Sequence, residues 1–378
     1  MEPSSALRIT ALEVRGFRNL APLVLEPGPR FHVIAGDNGA GKSSLLEAID
    51  YLARLESFRG ARTEDLIQHA GEPPSAVHAS HAMLAMRVVG DLAPRTFRVL
   101  LDAARPRTLQ LDAKKPRSIA SWHAAARVVL FHPGDVELPA GGPEPRRALL
   151  DRLLSQLDPT YASMAAAYTK ALRSRNRLLR AERPDRRAIT AYDELLASAG
   201  AIIGEARARL VDGLAPLAAD AFAAISGGGG QRLTVAYRPR VEPTIELLRA
   251  ALTRALDKDL ARGFTADGPH ADELGLTLER TLARRHASQG QHRAIALALK
   301  VAELRVLEAR TGRVPLLLLD DVSSELDRAK NKSLFELLAL YCGQVFLTTT
   351  HPEFILLDAR DRLDYRMDAG QLTLTRAR

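Results

Sequence analysis

One cysteine, Cys342, stands in a chain of 378 residues. That excludes an internal disulfide and any zinc site built from several cysteines, and it fits a reducing compartment. Nowhere do about 18 apolar residues run together, so no membrane-spanning helix is expected. The opening MEPSSALRITALEV lacks the basic stretch and apolar core of a secretion signal, so a cytoplasmic protein is expected. Sustained heptads and repeats of roughly 20 to 50 residues are also missing, which argues against a long coiled coil or a solenoid. Lysine is scarce: of 53 Lys and Arg residues only eight are Lys.

What is present is the composition of a globular protein, 46% hydrophobic and 26% charged. At roughly 150 residues per domain the length suggests two or three domains. The formal net charge of +8 points to a polyanionic partner, although an arginine-rich coding bias accounts for part of it, so where the charge clusters matters more than its sum. Short strands are expected at LRITALEVRGF, LAPLVLE and RFHVIAG, followed from Ser43 by a helix with Leu45, Leu46, Ile49 and Leu52 on one face. Residues 74 to 130 alternate as a meander of strands would, with a turn at KKPRS. From about Pro145 to Arg262 the chain is mostly helix-forming, interrupted by ERPD, SGGGG and the strand-like RLTVAYRP. After Gly263 strands and helices alternate again: a turn at DGPH, a strand at LGLTLE, a helix from Gln291 to about Glu308, the apolar VPLLLLDD, a helix near 328 to 340 and QVFLTTT. The expectation is an α/β fold in which 1–150, carrying a β-rich lobe, and 263–378 form one domain, interrupted by a mainly helical arm at 151–262.

Residues 36 to 43 read GDNGAGKS and satisfy G-x-x-x-x-G-K-[ST] between an expected strand and an expected helix. The glycines Gly36, Gly39 and Gly41 let the backbone N–H groups of Gly36, Asp37, Asn38, Gly39, Ala40 and Gly41 turn inward around phosphate oxygens, and the helix that starts near Lys42, Ser43 and Ser44 adds its positive dipole end. Lys42 would neutralise the outer phosphates while the Ser43 hydroxyl ligates Mg2+. A metal-bound triphosphate also needs an acid at a neighbouring strand end. VPLLLLDD supplies Asp320, the expected Mg2+ partner through water, and Asp321, the expected base that orients the attacking water. Positions 42 and 320 lie toward opposite ends of the chain, so two distant segments must close the site.

These residues resemble the ABC-type ATPases of the SMC, Rad50 and RecF group, in which a P-loop head is the common element. ASQGQ at 287 to 291 looks like the group's LSGGQ signature, SSELD at 323 to 327 like its D-loop, and His351 stands where its switch histidine would. The resemblance implies ATP and Mg2+ as cofactors, and Ser288, Gln289 and Gly290 as the signature that closes in trans on a triphosphate held by another copy. It also implies Gln291 and His351 as catalytic residues beside Asp321. Within the group the likeness is strongest to the RecF family, through VRGFRNL, ESFRG, VVLFHPGDVEL, GGPEPRRALLD, RSRNRLLR, DGPH and LLLDDVSSELD. Two positions depart from the pattern, Ala287 for the leucine of the signature and Ala271 where a basic residue usually follows GPH. That family implies recombinational repair at gaps and stalled forks within the response to DNA damage, an ATP-dependent homodimer, RecO- and RecR-like partners, and help in loading a RecA-like recombinase. Hydrolysis is expected to be slow, because Asp321 is one methylene shorter than the Glu that many ABC ATPases carry. SGGGGQ at 226 to 231 resembles the signature by eye, but it leads into a strand pattern and is read as a loop.

Between positions 170 and 187 basic residues far outnumber the two acids, Glu182 and Asp185. Lys170, Arg173, Arg177 and Arg180 share one helical face and could follow a phosphate backbone without reading bases. A solvated face in an arginine-rich chain is the other reading. With the resemblance, double-stranded and gapped DNA is the expected partner, with Arg146 and Arg147 as further contacts and no sequence specificity. Two other functions fit parts of the pattern. The cytosolic ATPase of a membrane transporter would lack the long arm and would hold its P-loop and acid pair closer together. A DNA-binding protein with a vestigial nucleotide site would keep these ligands without turnover.

Overall fold

The computed structural model describes residues 6–28, 30–68, 81–90, 93–226, 230–321, 328–358 and 361–376. The chain divides into two compact units. One comprises Met1–Asp135, Ile225–Gly227 and Leu307–Arg378, the other Val136–Ala224 and Gly228–Val306.

The first unit holds two sheets. The antiparallel one runs β2-β1-β4-β5-β6, from β1 (Arg8–Arg15), β2 (Leu23–Leu25), β4 (His81–Val89), β5 (Arg95–Asp102) and β6 (Thr108–Leu111). In β5 buried Phe97, Val99 and Leu101 alternate with more exposed neighbours, as a sheet with one solvated face requires. The other sheet runs β14-β13-β3-β12-β11-β7. Its members are β3 (Phe31–Ala35), β7 (Val128–Phe131), β11 (Leu316–Leu319), β12 (Val345–Thr349), β13 (Arg362–Asp368) and β14 (Gln371–Arg376), all parallel except β14. β7, β11 and β12 are buried along their whole length, which is why they read as unbroken apolar runs.

Helix α1 (Lys42–Arg54) buries Leu45, Leu46, Ile49 and Leu52 in a core shared with both sheets. Short helices α2 (Thr63–Leu66) and α3 (Ile119–Ala125) and the longer α12 (Arg328–Leu340) also belong to this unit. The meander is shorter than expected. It ends at Leu111. Ser118 and Ser121 then cap each other's backbone to start α3, whose Trp122 donates its indole N–H to the Leu52 carbonyl at 2.9 Å.

The second unit is mainly helical: α4 (Glu137–Ala140), α5 (Pro143–Leu157), α6 (Pro159–Leu179), α7 (Arg186–Thr190), α8 (Asp193–Ile225), α9 (Ile245–Arg262), α10 (Ala283–His286) and most of α11 (Gln289–Thr311). Local sequence sets the ends. Pro143 and Pro159 occupy first turns, Asp158 and Thr244 accept N-cap bonds, and Gly263 closes α9 at φ 74°. A three-stranded sheet β10-β9-β8 completes the unit, from β8 (Leu233–Arg238), β9 (Glu273–Leu278) and β10 (Thr281–Leu282). RLTVAYRP is therefore a strand, as its alternation indicates. Its pairing with LGLTLE gathers residues from both sides of position 262 into this unit.

Candidate nucleotide site and basic helix face

The carboxyl ends of β3, β12, β11 and β7 lie side by side, and open parallel sheets bind ligands beyond those ends. Gly36–Ser44 leaves β3 there and enters α1. A Cβ on Gly36 would overlap the Met367 carbonyl oxygen of β13, and Gly41, the N-cap of α1, sits at φ 110°, where an L side chain is strained. No acidic side chain occupies the first turn of α1 and no side chain caps it, so its N–H groups remain available to an anion. Lys42 folds back over the loop, donating from Nζ to the carbonyls of Gly36 (2.8 Å) and Asp37 (2.9 Å). Burial pulls its pKa below the ordinary lysine value, while Asp321, Asp320 and Asp37 act in the opposite direction. A partly desolvated ammonium of this kind gains from a nearby phosphate.

The acid pair follows β11. Asp320 is buried, with its N–H on the Phe131 carbonyl (2.8 Å), and Asp321 adopts φ 49°, a left-handed conformation uncommon outside glycine. The Thr348 hydroxyl, on β12, joins the two: it donates to Asp320 Oδ1 at 2.7 Å and accepts the Asp321 N–H at 3.0 Å. The next residue of β12 reaches the other way. The Thr349 carbonyl accepts the Gly36 N–H (3.3 Å), and its hydroxyl accepts the His351 N–H (2.9 Å). His351 itself is exposed, with Nδ1 3.1 Å from Glu353 Oε1.

A cleft of about 630 Å3 opens over this edge, lined by Asn38, Gly39, Gly41, Lys42, Ser43, Ser44 and Asp321. Its other walls are Arg18, Asn19, Arg59, Asp65, Ile67 and Gln68, which had no assigned role in the sequence. Arg18 pairs through Nε and Nη2 with both oxygens of the fully buried Glu47 (3.0 and 2.9 Å). Asn19 accepts from Ser44 Oγ (2.8 Å) and donates to the Gly39 carbonyl (2.8 Å). The tip of the β13–β14 hairpin also props the loop, with Gly370 N–H donating to the Ala40 carbonyl at 2.8 Å. Of these walls, Arg18 and Asn19 fall within VRGFRNL and Arg59 within ESFRG.

Ser43 and Asp320 present oxygen donors, the ligand type a hard cation such as Mg2+ prefers when substrate phosphates and water complete its shell. Among the described residues no group of three or more His, Cys, Asp or Glu side chains could hold a metal alone, which suits a cation bound with its nucleotide.

The signature residues belong to the second unit. Ser288 and Gln291 form a capping box at the start of α11: Ser288 N–H donates to Gln291 Oε1 (2.7 Å) and Gln291 N–H to Ser288 Oγ (3.2 Å). Gln291 Nε2 reaches Gln231 Oε1 at 2.8 Å, so the expected catalytic amide is engaged in holding the helix start. Gln289 and Gly290 form the first turn of α11. SSELD at 323 to 327 lies outside the described residues.

Lys170, Arg173, Arg177 and Arg180 are all exposed along α6 and at its C-terminus. Two other basic residues are buried. Arg175, counted in the same run, is fully buried and bonded to Asp193 (3.0 Å), Asp259 (2.8 Å) and Thr265 (2.8 Å). Arg146, expected to touch DNA, is buried on Glu273 and on the Leu138 and Gly141 carbonyls, which leaves no free face for a phosphate. Arg147 is half-buried and donates to the Asp272 carbonyl at 2.9 Å.

A glycine-lined phosphate loop, an acid pair at the adjoining strand ends and a helical insertion define a P-loop ATPase head of ABC type. Residues 8–97 match the family model described as the RecF/RecN/SMC N terminal domain. The chain is 40% identical over 376 residues to a DNA replication and repair protein RecF of Anaeromyxobacter sp. (strain Fw109-5), covering 97% of this chain and 99% of that protein. It is 38% identical to the RecF of Myxococcus xanthus (strain DK1622) over 94% of each. A solved structure of the recombination mediator protein RecF-ATPrS superposes with a TM-score of 0.87 at 28% identity, over 98% of this chain and 99% of that one. An Smc head domain from Pyrococcus furiosus, at 16% identity and TM-score 0.57, shares the fold alone. The chain belongs to the RecF family.

Proposed function

We propose that the chain is an ATP-gated DNA clamp of recombinational repair and replication-fork maintenance. The observation that carries this reading is the cleft lined by Gly39, Gly41, Lys42, Ser43 and Asp321, with Asp320 tied to Asp321 beside it through Thr348, in a chain of RecF type. The loop N–H groups and Lys42 hold the phosphates of ATP, Ser43 and Asp320 hold Mg2+, and Asp321 orients the attacking water. Bound Mg2+ would supply charge neutralisation at the outer phosphates. The solved relative with the ATP analogue supports the choice of ATP.

Ser288, Gln289 and Gly290 face the triphosphate of a second copy, with their helix start as donor, so ATP joins two heads. His351 completes the site. Gln291 keeps the signature helix in shape through its capping bonds, a role its hydrogen bonds favour over proton transfer. The exposed row Lys170, Arg173, Arg177 and Arg180 follows the DNA backbone. RecO- and RecR-like proteins are the partners this family membership supports, in the cytoplasm. Against a transporter's cytosolic ATPase stand the long helical insertion and the likeness to RecF along 97% of the chain.

The test is fluorescence anisotropy of a short labelled duplex titrated with the protein at two salt concentrations, with and without MgATP. Tighter binding with MgATP and weaker binding at higher salt are expected. Salt-sensitive binding indifferent to ATP would identify a DNA-binding protein with a vestigial nucleotide site instead.

A further inference from the structure

We infer that Thr348 is a positioning residue for the acid pair, setting the Mg2+-side carboxylate and the water-orienting carboxylate in one fixed relation. The inference rests on the nucleotide-site reading above and deepens it. β12 lies between the strand that feeds the phosphate loop and the strand that carries the acids. Its last two residues are threonines, and neither is exposed.

Successive side chains of a strand point to opposite faces, so Thr348 and Thr349 cannot do the same work. Thr348 bonds both acids, as hydroxyl donor to Asp320 Oδ1 and as acceptor for the Asp321 N–H. The second bond holds the residue whose backbone is in the left-handed region, where an Asp persists only if its surroundings fix it. The first bond occupies one oxygen of Asp320 and so sets the direction of the other.

A hydroxyl is needed here, and a methyl of the same shape is not enough. Valine would leave the Asp321 N–H and one oxygen of the buried Asp320 without this partner, and the two acids would be free to turn independently. Serine keeps the hydroxyl and loses only a methyl group. Thr348 is buried behind the cleft, and its hydroxyl bonds run to the acids, so its loss should separate metal use from nucleotide capture.

The experiment compares Thr348→Val and Thr348→Ser with the unaltered chain in three assays. The first is the melting temperature without ligand. The second is the rise in melting temperature with ATPγS, first in EDTA and then across a Mg2+ titration. The third is steady-state ATP hydrolysis. Thr348→Val is expected to keep the ligand-free melting temperature within a few degrees and to keep the metal-free shift. It should need about tenfold more Mg2+ for half of the additional shift and hydrolyse ATP at least tenfold more slowly, whereas Thr348→Ser stays within about threefold of the unaltered chain on both. An unchanged Mg2+ requirement in Thr348→Val, or equal losses in both variants, would overturn the positioning role. Loss of the metal-free shift would overturn it too, by showing damage to the loop. Absence of any ATPγS shift in the unaltered chain would instead remove the nucleotide-site reading, and this inference with it.

Discussion

The phosphate-loop edge of the first unit and the basic face of α6 in the second are both proposed to meet polyanions, yet they are built by opposite means. At the edge each group is held by a short bond to its neighbour: Lys42 to Gly36 and Asp37, Thr348 to both acids, Thr349 to Gly36 and His351. On α6, Lys170, Arg173 and Arg177 stand exposed and could act only by summed charge. A scaffolded site discriminates by geometry and should fail when one atom is removed. A charged face tolerates single losses and should respond to salt. The arginines of the second unit sharpen this contrast, since some belong to the face and others to its foundations.

The largest effect is expected at Arg175. Its guanidinium, fully buried, bonds Asp193 and the equally buried Asp259, so Arg175→Ala would strand two carboxylates in the interior of the helical unit. Breaking a buried pair in this way costs about 3 to 5 kcal/mol. Urea denaturation followed by circular dichroism should show that loss as a lower midpoint. A change below about 1 kcal/mol would mean that Arg175 is part of the charged face after all.

Arg175 also shows where sequence reading stopped. The phosphate loop and the apolar strand before Asp320 were legible because both are local: a few residues define the turn, and a run of leucines defines a strand buried on both faces. Counting charges between 170 and 187 treated Arg175 like its neighbours, although two residues along a helix is more than half a turn, enough to point it inward. The helical phase that groups Lys170, Arg173, Arg177 and Arg180 on one face already sets Arg175 apart, but it does not reveal the partners Asp193 and Asp259. No phase argument could have removed Arg146, because its partner Glu273 lies in β9, far along the chain from α5. The cleft walls were hidden for the same reason. Arg18 and Arg59 come from loops on either side of α1, and only the fold brings them to one opening.

A second, smaller effect should mark the scaffolded side. His32, in the strand that feeds the phosphate loop, is stacked on Phe346 with centroids 4.5 Å apart, and its Nε2 is 3.1 Å from the Gly28 carbonyl. Burial pushes its pKa down from 6.5 to about 4, and the Gly28 bond offsets only part of that. The unfolded chain therefore binds a proton near pH 6.5 that the folded chain refuses until about pH 4. The stabilisation is complete above 6.5 and is lost as pH falls through that window, by an amount on the order of 3 kcal/mol. Comparing the pH dependence of stability with His32→Gln should flatten that segment of the curve. An unchanged slope between pH 6.5 and 4 would show that other groups govern it.

The smallest effect per residue is expected on the face itself, where only a combined change should be visible. Replacing Arg173, Arg177 and Arg180 together by Ala removes three exposed cations, and the logarithmic salt slope of duplex binding should become shallower by about 2 to 3 units, since each neutralised phosphate contributes about 0.9. Arg180 also donates to the Gly263 carbonyl at 3.0 Å, so a slight loosening at the end of α9 accompanies the change without altering the slope. Arg146→Ala supplies the opposite control. It breaks a buried ion pair with Glu273 and should lower the urea midpoint while leaving the salt slope as it was. If instead Arg146→Ala flattened the slope and the triple variant did not, phosphate contact would lie beside α5, and the exposed row on α6 would be a solvated surface.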